Sequence, residues 1–177
     1  MKNIVLTAAV QLDRVTRVLH ALAAACMIGM CLLTISEITA RSLFDRSLSF
    51  VWETGSYLLG ASWFLAAPYT LRTDGHVRVS LINQQLGEKG SRTLDILASI
   101  AGVVITVVLF ASLLQLTLDS IKYGRTSFTP MQTPLFIPQA VLTLGMLLMT
   151  LQMIMRLFLL MTGLQPDIPL EASADQQ

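Results

Sequence analysis

The stretch that decides the fold class is residues 94–118, "LDILASIAGVVITVVLFASLLQLTL", in which Asp95 is the single charged residue. A helix needs about 20 apolar residues to cross the hydrocarbon core of a bilayer, so this stretch is long enough to span it. Its apolar residues do not alternate with polar ones, as they would in a strand of a membrane barrel. We therefore predict a transmembrane helix here.

Three further apolar runs resemble it, at residues 19–39, 51–71 and 135–158. Of the 177 residues, 54% are hydrophobic and only 13% are charged, whereas soluble domains carry about 25% charged residues. We predict an all-α membrane protein with four transmembrane helices. The whole chain, 1–177, forms a single membrane domain that ends in a polar tail at 164–177.

The basic residues predict the orientation of these helices. Eight of the twelve lysines and arginines fall in the N-terminal tail, in the connection after the second span or at the end of the fourth span. The other four lie in the first and third connections. Because basic residues accumulate on the cytoplasmic side, we expect both termini and the 72–92 connection in the cytoplasm.

Two segments have the pattern of amphipathic helices at a membrane surface. Residues 10–22, "VQLDRVTRVLHAL", put their apolar residues on one helical face. Residues 79–90, "VSLINQQLGEKG", form a shorter pattern in which Gly87 and Gly90 are expected to end the helix. We expect both to lie in the headgroup plane, although a plain loop remains an alternative for the second.

Four residues near the predicted outer ends of the first two spans are candidate contact residues. Glu37 and Arg41 are four apart on one helix and are expected to pair. Trp52 fits an aromatic belt at the membrane interface, and Glu53 lies beside it. For these charges a role in helix pairing or subunit contact and simple placement at the interface both remain open.

The sequence offers little for an enzyme or a cofactor. His20 and His76 are expected on surface connections, which does not suit axial haem ligands facing each other inside a bundle. Neither histidine has a second ligand at a helical spacing suited to zinc. We therefore expect no catalytic residue, no metal and no cofactor, and the net charge of +1 gives no basic face for nucleic acid.

Four short motifs carry a family resemblance that covers about residues 12–160. They are, in chain order, "EITAR" (37–41), "WE" (52–53), "RTDGHVRVSLI" (72–82) and a region with Ser127, Pro130 and Pro138. In this order and with four spans, the chain resembles the small permease subunit of TRAP (tripartite ATP-independent periplasmic) transporters, the DctQ-like component. It departs from the family pattern at Ser80, where an acidic residue is common.

The resemblance implies a multi-pass protein of the bacterial inner membrane that works in a complex. Its partners would be a much larger permease subunit, a periplasmic substrate-binding protein and membrane lipids. The large subunit would move an organic acid, driven by a sodium gradient, while the small subunit anchors the static scaffold and binds no solute.

The third motif supplies four more candidate structural or subunit-contact residues. Gly75 is expected to allow the chain to reverse, and Arg72 and Arg78 to hold the turn at the inner headgroups. His76 is expected to bond within the turn or to the large subunit. Two alternatives remain: a membrane-anchor subunit of an oxidoreductase, and a small transporter that works alone.

Overall fold

The computed structural model describes residues 2–72 and 80–162, and these contain four helices. In the described part of the chain, the only β pairing is an isolated bridge between Thr126 and Pro134, so the all-α prediction is confirmed there. The predicted tail at 164–177 lies outside the described residues. The helices are α1 (Lys2–Phe44), α2 (Ser49–Arg72), α3 (Ser80–Lys122) and α4 (Phe136–Thr162).

Three of the helices are long and apolar enough to cross a membrane: α1, α3 and α4. With 24 residues, α2 is about 36 Å long, which is also sufficient for a span. It is not among the helices with a strongly apolar window, because Glu53, Ser56, Ser62 and Pro68 interrupt its sequence. The four-span topology with both termini inside therefore stays a prediction.

The prediction of separate short interfacial helices was wrong. Residues 10–22 are part of α1, which continues without a break to Phe44. Residues 80–90 are the first turns of α3, which runs on through Gly87 and Gly90. A glycine inside a helix costs only about 1 kcal/mol relative to alanine. That cost does not stop a helix that continues into a long apolar stretch.

The helices lie in a row in the order α1, α2, α4, α3. The backbone of α2 packs closely against both α1 and α4, and α3 packs against α4. In the described residues, α3 makes no close backbone approach to α1 or α2. We call the end with residues 45–48 and 123–135 the loop end. The opposite end, with Asp13, Arg72, Arg92 and Leu160, is the termini end.

Small residues bring α2 close to its neighbours. A Cβ added to Gly145 of α4 would lie 2.5 Å from the backbone oxygen of Phe64 on α2. This is nearer than real Cβ atoms come, so only glycine allows this crossing. Gly29 of α1 faces the Leu58 side chain at 3.7 Å, and Gly60 of α2 faces Leu142 at 3.4 Å.

Threonine hydroxyls join α3 to α4. The hydroxyls of Thr117 and Thr143 share a hydrogen bond of 2.9 Å, and Thr150 donates to the backbone oxygen of Thr106 at 3.2 Å. All four threonines are buried. Hydrogen bonds of this kind stabilise helix pairs in a membrane. There, apolar side chains gain little free energy by exchanging contacts with lipid acyl chains for contacts with another helix.

Candidate functional site

The first polar cluster closes the turn between α1 and α2 at the loop end. The Glu37 carboxylate accepts hydrogen bonds from Arg41 Nη2 at 2.6 Å, Ser47 Oγ at 2.8 Å and Leu48 N at 2.6 Å. The Glu37 side chain is only 7% exposed, whereas Arg41 is 55% exposed. The predicted Glu37–Arg41 pair is therefore confirmed, and the same carboxylate also binds the first residues after the turn.

The second cluster ties the first turns of α2 to the connection between α3 and α4. The Glu53 carboxylate accepts hydrogen bonds from Tyr57 at 2.8 Å and from the hydroxyl of Thr129. The Thr129 hydroxyl also shares a hydrogen bond of 2.8 Å with Ser127. Glu53 is buried, so this carboxylate contacts another part of the chain instead of facing the interface freely.

The connection that Glu53 binds is held in one shape by its own backbone. Ser127 N donates to Thr133 O at 2.9 Å, next to the bridge between Thr126 and Pro134. Gly124 and Gln132 have φ values of 58° and 49°, the left-handed region in which L side chains are uncommon. Trp52 is 70% exposed, as a residue of an interfacial belt would be.

The third cluster lies at the termini end and joins three helices. Arg72 Nε of α2 donates to Asp13 Oδ2 of α1 at 3.1 Å, and the two side chains are 8% and 15% exposed. Gln152 Nε2 of α4 donates to Asp13 Oδ1 at 3.2 Å and lies 3.4 Å from the hydroxyl of Thr16. The expectation that Arg72 reaches the headgroups was wrong, because its guanidinium is buried against Asp13.

From the sequence, His20 was predicted on a surface connection, and this was wrong. It lies within α1 and packs against Tyr69 of α2, with 4.6 Å between ring centroids. Its Nδ1 is buried and has no hydrogen-bond partner in the described part of the chain. The predicted candidates Gly75, His76 and Arg78 lie outside the described residues.

Several residues of these clusters were missed by the sequence analysis. Gln152 carried a usable signal, because it is an amide within the apolar run of α4. Thr129 and Asp13 carried none, since their partners Glu53 and Arg72 are 76 and 59 residues away. Within residues 2–72 and 80–162, no three His, Cys, Asp or Glu side chains are grouped so that they could hold a metal ion.

The three clusters share one arrangement. Their charged side chains lie at the loop end or the termini end of the helices, and mainly apolar and small residues lie between these two ends. A comparison with protein families matches residues 30–163 to "Tripartite ATP-independent periplasmic transporters, DctQ component". The chain belongs to the DctQ family. Comparisons with curated proteins and with solved structures found no match.

Membership of the DctQ family makes this chain a small permease component of a TRAP transporter and a membrane-embedded protein. The family is a transporter component and not an enzyme family. In general, DctQ components work with a large permease and a binding protein. The match begins at residue 30, so Asp13, Thr16 and His20 belong to the half of α1 that precedes it.

Proposed function

We propose that this DctQ-family chain is the static scaffold subunit of its transporter and anchors the large permease subunit in the membrane. The observation that carries this proposal is that the buried charged groups of the described residues contact other parts of the same chain. Glu37, Glu53 and the Asp13–Arg72 pair each join separate segments. Groups used in this way hold the helices in fixed positions, which suits a scaffold.

All four helices cross the membrane in this proposal, with both termini in the cytoplasm. α2 is not among the helices with a strongly apolar window, but it packs between α1 and α4 and is joined to α1 near both of its ends. Its neighbours therefore cover part of its polar surface. The excess of basic residues at the termini end supports the proposed orientation.

The remaining features of the proposal come from the family. We propose that the complex lies in the bacterial inner membrane and takes up an organic acid, delivered by a periplasmic binding protein and driven by a sodium gradient. The small subunit would not select the solute. Among its described residues, the carboxylates of Glu37 and Glu53 already accept hydrogen bonds from within the chain.

The experiment that tests this function is co-purification from native membranes. The tagged chain is solubilised in mild detergent, and its partners are identified by mass spectrometry and counted by native mass measurement. We expect a much larger polytopic protein in a fixed ratio. A chain isolated alone, or with a soluble redox subunit and a haem absorbance band, would overturn the proposal. Uptake by vesicles containing only this chain would point to a transporter that works alone.

His76, with Gly75 and Arg78, is proposed as a contact region of the connection after α2. Replacing His76 with alanine should weaken assembly with the large subunit, or lower the transport rate, and should leave the preferred solute unchanged. Competition between labelled and unlabelled solutes in reconstituted vesicles measures this. A variant with altered solute preference would contradict the assignment.

A further inference from the structure

One face of α2 is left uncovered by the rest of the chain. Its exposed residues after Phe50 are Trp52, Ser56, Leu59 and Trp63. They are spaced by four, three and four residues, so they form one stripe along the helix. Because α1 and α4 pack on either side of α2, this stripe lies on a broad face of the row.

Trp63 is in an unusual place for a tryptophan. It is about 21 Å along the axis from the start of α2 and about 13 Å from its end, and it is 69% exposed. Tryptophan normally lies at the interface, where its N–H can reach water or headgroups. The structure gives the Trp63 indole N–H no hydrogen-bond acceptor within residues 2–72 and 80–162. In hydrocarbon such a donor is costly, so this position calls for an acceptor from outside the chain.

Two grooves flank Trp63 on the same face. The first, of about 350 Å³, lies between α1 and α2 and is lined by small residues that include Ala23, Ala24 and Ala66. The second, of about 290 Å³, is lined by residues of α2, α3 and α4, among them Gly145. Trp63 and Ala67 line both grooves. Small residues on a membrane-facing surface allow another helix to approach closely.

The exposed surfaces of α1 and α3 differ from this face. Both contain long, strongly apolar windows that are 6% and 11% buried, and their exposed residues are mainly aliphatic. That composition suits contact with lipid chains. The exposed stripe of α2 instead contains two tryptophans and a serine beside Leu59. A surface with these polar groups, one of them an indole N–H without an acceptor in the described residues, suits contact with protein.

We propose that the Trp63 face is the docking surface for a transmembrane helix of the large permease subunit. That helix supplies a hydrogen-bond acceptor for the Trp63 indole N–H and places aliphatic side chains in the two grooves. The inference rests on the proposed scaffold function and adds to it the surface through which the scaffold holds its partner.

The test uses the full chain expressed together with the large subunit that co-purifies with it. A benzoylphenylalanine photo-crosslinker is placed at position 63, and at position 108 as a matched control. Val108 is 59% exposed on α3, and its neighbour Leu109 lines the same groove as Trp63, so the depths are similar. We expect a covalent product with the large subunit from position 63 and little or none from position 108.

Each outcome decides the proposal. A crosslink from position 63 to lipid only, or to a second copy of this chain, overturns the docking surface and leaves the scaffold function intact. The same conclusion follows if position 108 crosslinks to the large subunit and position 63 does not. If no large subunit co-purifies at all, both the docking surface and the scaffold function fail.

A second variant tests the hydrogen bond itself. Trp63→Phe keeps an aromatic ring and removes the N–H, so the apparent dissociation constant of the complex in detergent should rise roughly three- to twenty-fold. Val108→Ala should leave it unchanged. The thermal unfolding of the isolated chain should not change with Trp63→Phe, because the side chain is exposed. Unchanged affinity for Trp63→Phe together with no crosslink at position 63 would overturn the proposal.

Discussion

At the scale of single residues, one carboxylate closes the turn between α1 and α2. Glu37 accepts hydrogen bonds from Arg41, one helical turn later in α1, and from Ser47 and Leu48, the last two residues before α2. The backbone N–H of Leu48 is one of the donors left free at a helix start. Glu37 therefore acts both as an ion-pair partner and as a cap for α2.

Replacing Glu37 with alanine should lower the stability of the chain by about 1–3 kcal/mol, because the Leu48 N–H and the Ser47 hydroxyl lose their acceptor. Glu37→Gln should cost less, since an amide oxygen can still accept. The midpoint of thermal unfolding in detergent measures both. Ser36→Ala is the control, because Ser36 is exposed and bonds within its own helix; an equal loss in that variant would contradict the assignment.

The buried pair of Asp13 and Arg72 gives a second prediction at this scale. Asp13→Ala should destabilise the chain by about 3–5 kcal/mol, because it removes a carboxylate that the buried Arg72 guanidinium and the Gln152 amide both contact. Replacing both partners, as Asp13→Leu with Arg72→Met, should restore much of that loss. Chemical or thermal unfolding of the two variants compares them. If the double variant is the less stable one, the pair is not the source of the effect.

Sequence reasoning found the local pair and missed the distant ones for a physical reason. Glu37 and Arg41 are four residues apart on a helix, a spacing that fixes their proximity. Arg72 looked like a headgroup anchor because basic residues at a cytoplasmic end usually are. Its actual partner depends on how α1 crosses α2, and that crossing is set by packing that no local pattern contains.

At the scale of the elements, the crossing of α2 and α4 depends on the missing side chain of Gly145. Gly145→Ala should lower the unfolding midpoint, because the new methyl group would push against the Phe64 backbone and separate the helices. Gly55→Ala is a matched control: Gly55 is also a buried helix glycine, but a Cβ there meets nothing within 4 Å. That variant should be neutral or up to about 1 kcal/mol more stable. Equal effects at both glycines would contradict this explanation.

The elements also show how far periodicity reaches. Each apolar run coincides with one helix: three predicted spans lie within α1, α2 and α3, and the fourth begins one residue before α4. The ends were harder: α1 and α3 extend well beyond the predicted spans, to 43 residues each. Polar and glycine-containing segments were predicted to end helices. A helix can nevertheless continue through them when no proline removes its hydrogen bonds. Pro68 shows that even proline is tolerated inside α2.

At the scale of the whole molecule, the arrangement is an open row and not a closed bundle. α3 is held by α4 through the threonine contacts and by the bond from Arg92 to the backbone oxygen of Leu160. The sequence predicted four helices but not their order in space, because four antiparallel apolar helices are compatible with both arrangements.

Distances between α1 and α3 distinguish the row from a bundle. Spin labels on Ile28→Cys and Leu118→Cys should lie about 20 Å apart or more, since α4 and part of α2 lie between α1 and α3 and neighbouring helix axes are about 8–10 Å apart. A closed bundle would give about 10–14 Å. Both positions are exposed, and Cys26→Ala with Cys31→Ala removes the native thiols. Pulsed electron spin resonance measures the distance, and a short one would rule out the row.

The length of α1 has a consequence for the surrounding membrane. The helix segment Ala9–Phe44 has 36 residues and so measures about 54 Å. Even at a tilt of about 40°, it would extend about 41 Å along the bilayer normal, against a hydrocarbon thickness of about 30 Å. Its charged residues lie towards its two ends, and the uncharged stretch between Arg17 and Glu37 is about 29 Å long. That stretch matches the hydrocarbon of an ordinary bilayer, so transport by the assembled complex should be slower both in much shorter-chain and in much longer-chain lipids.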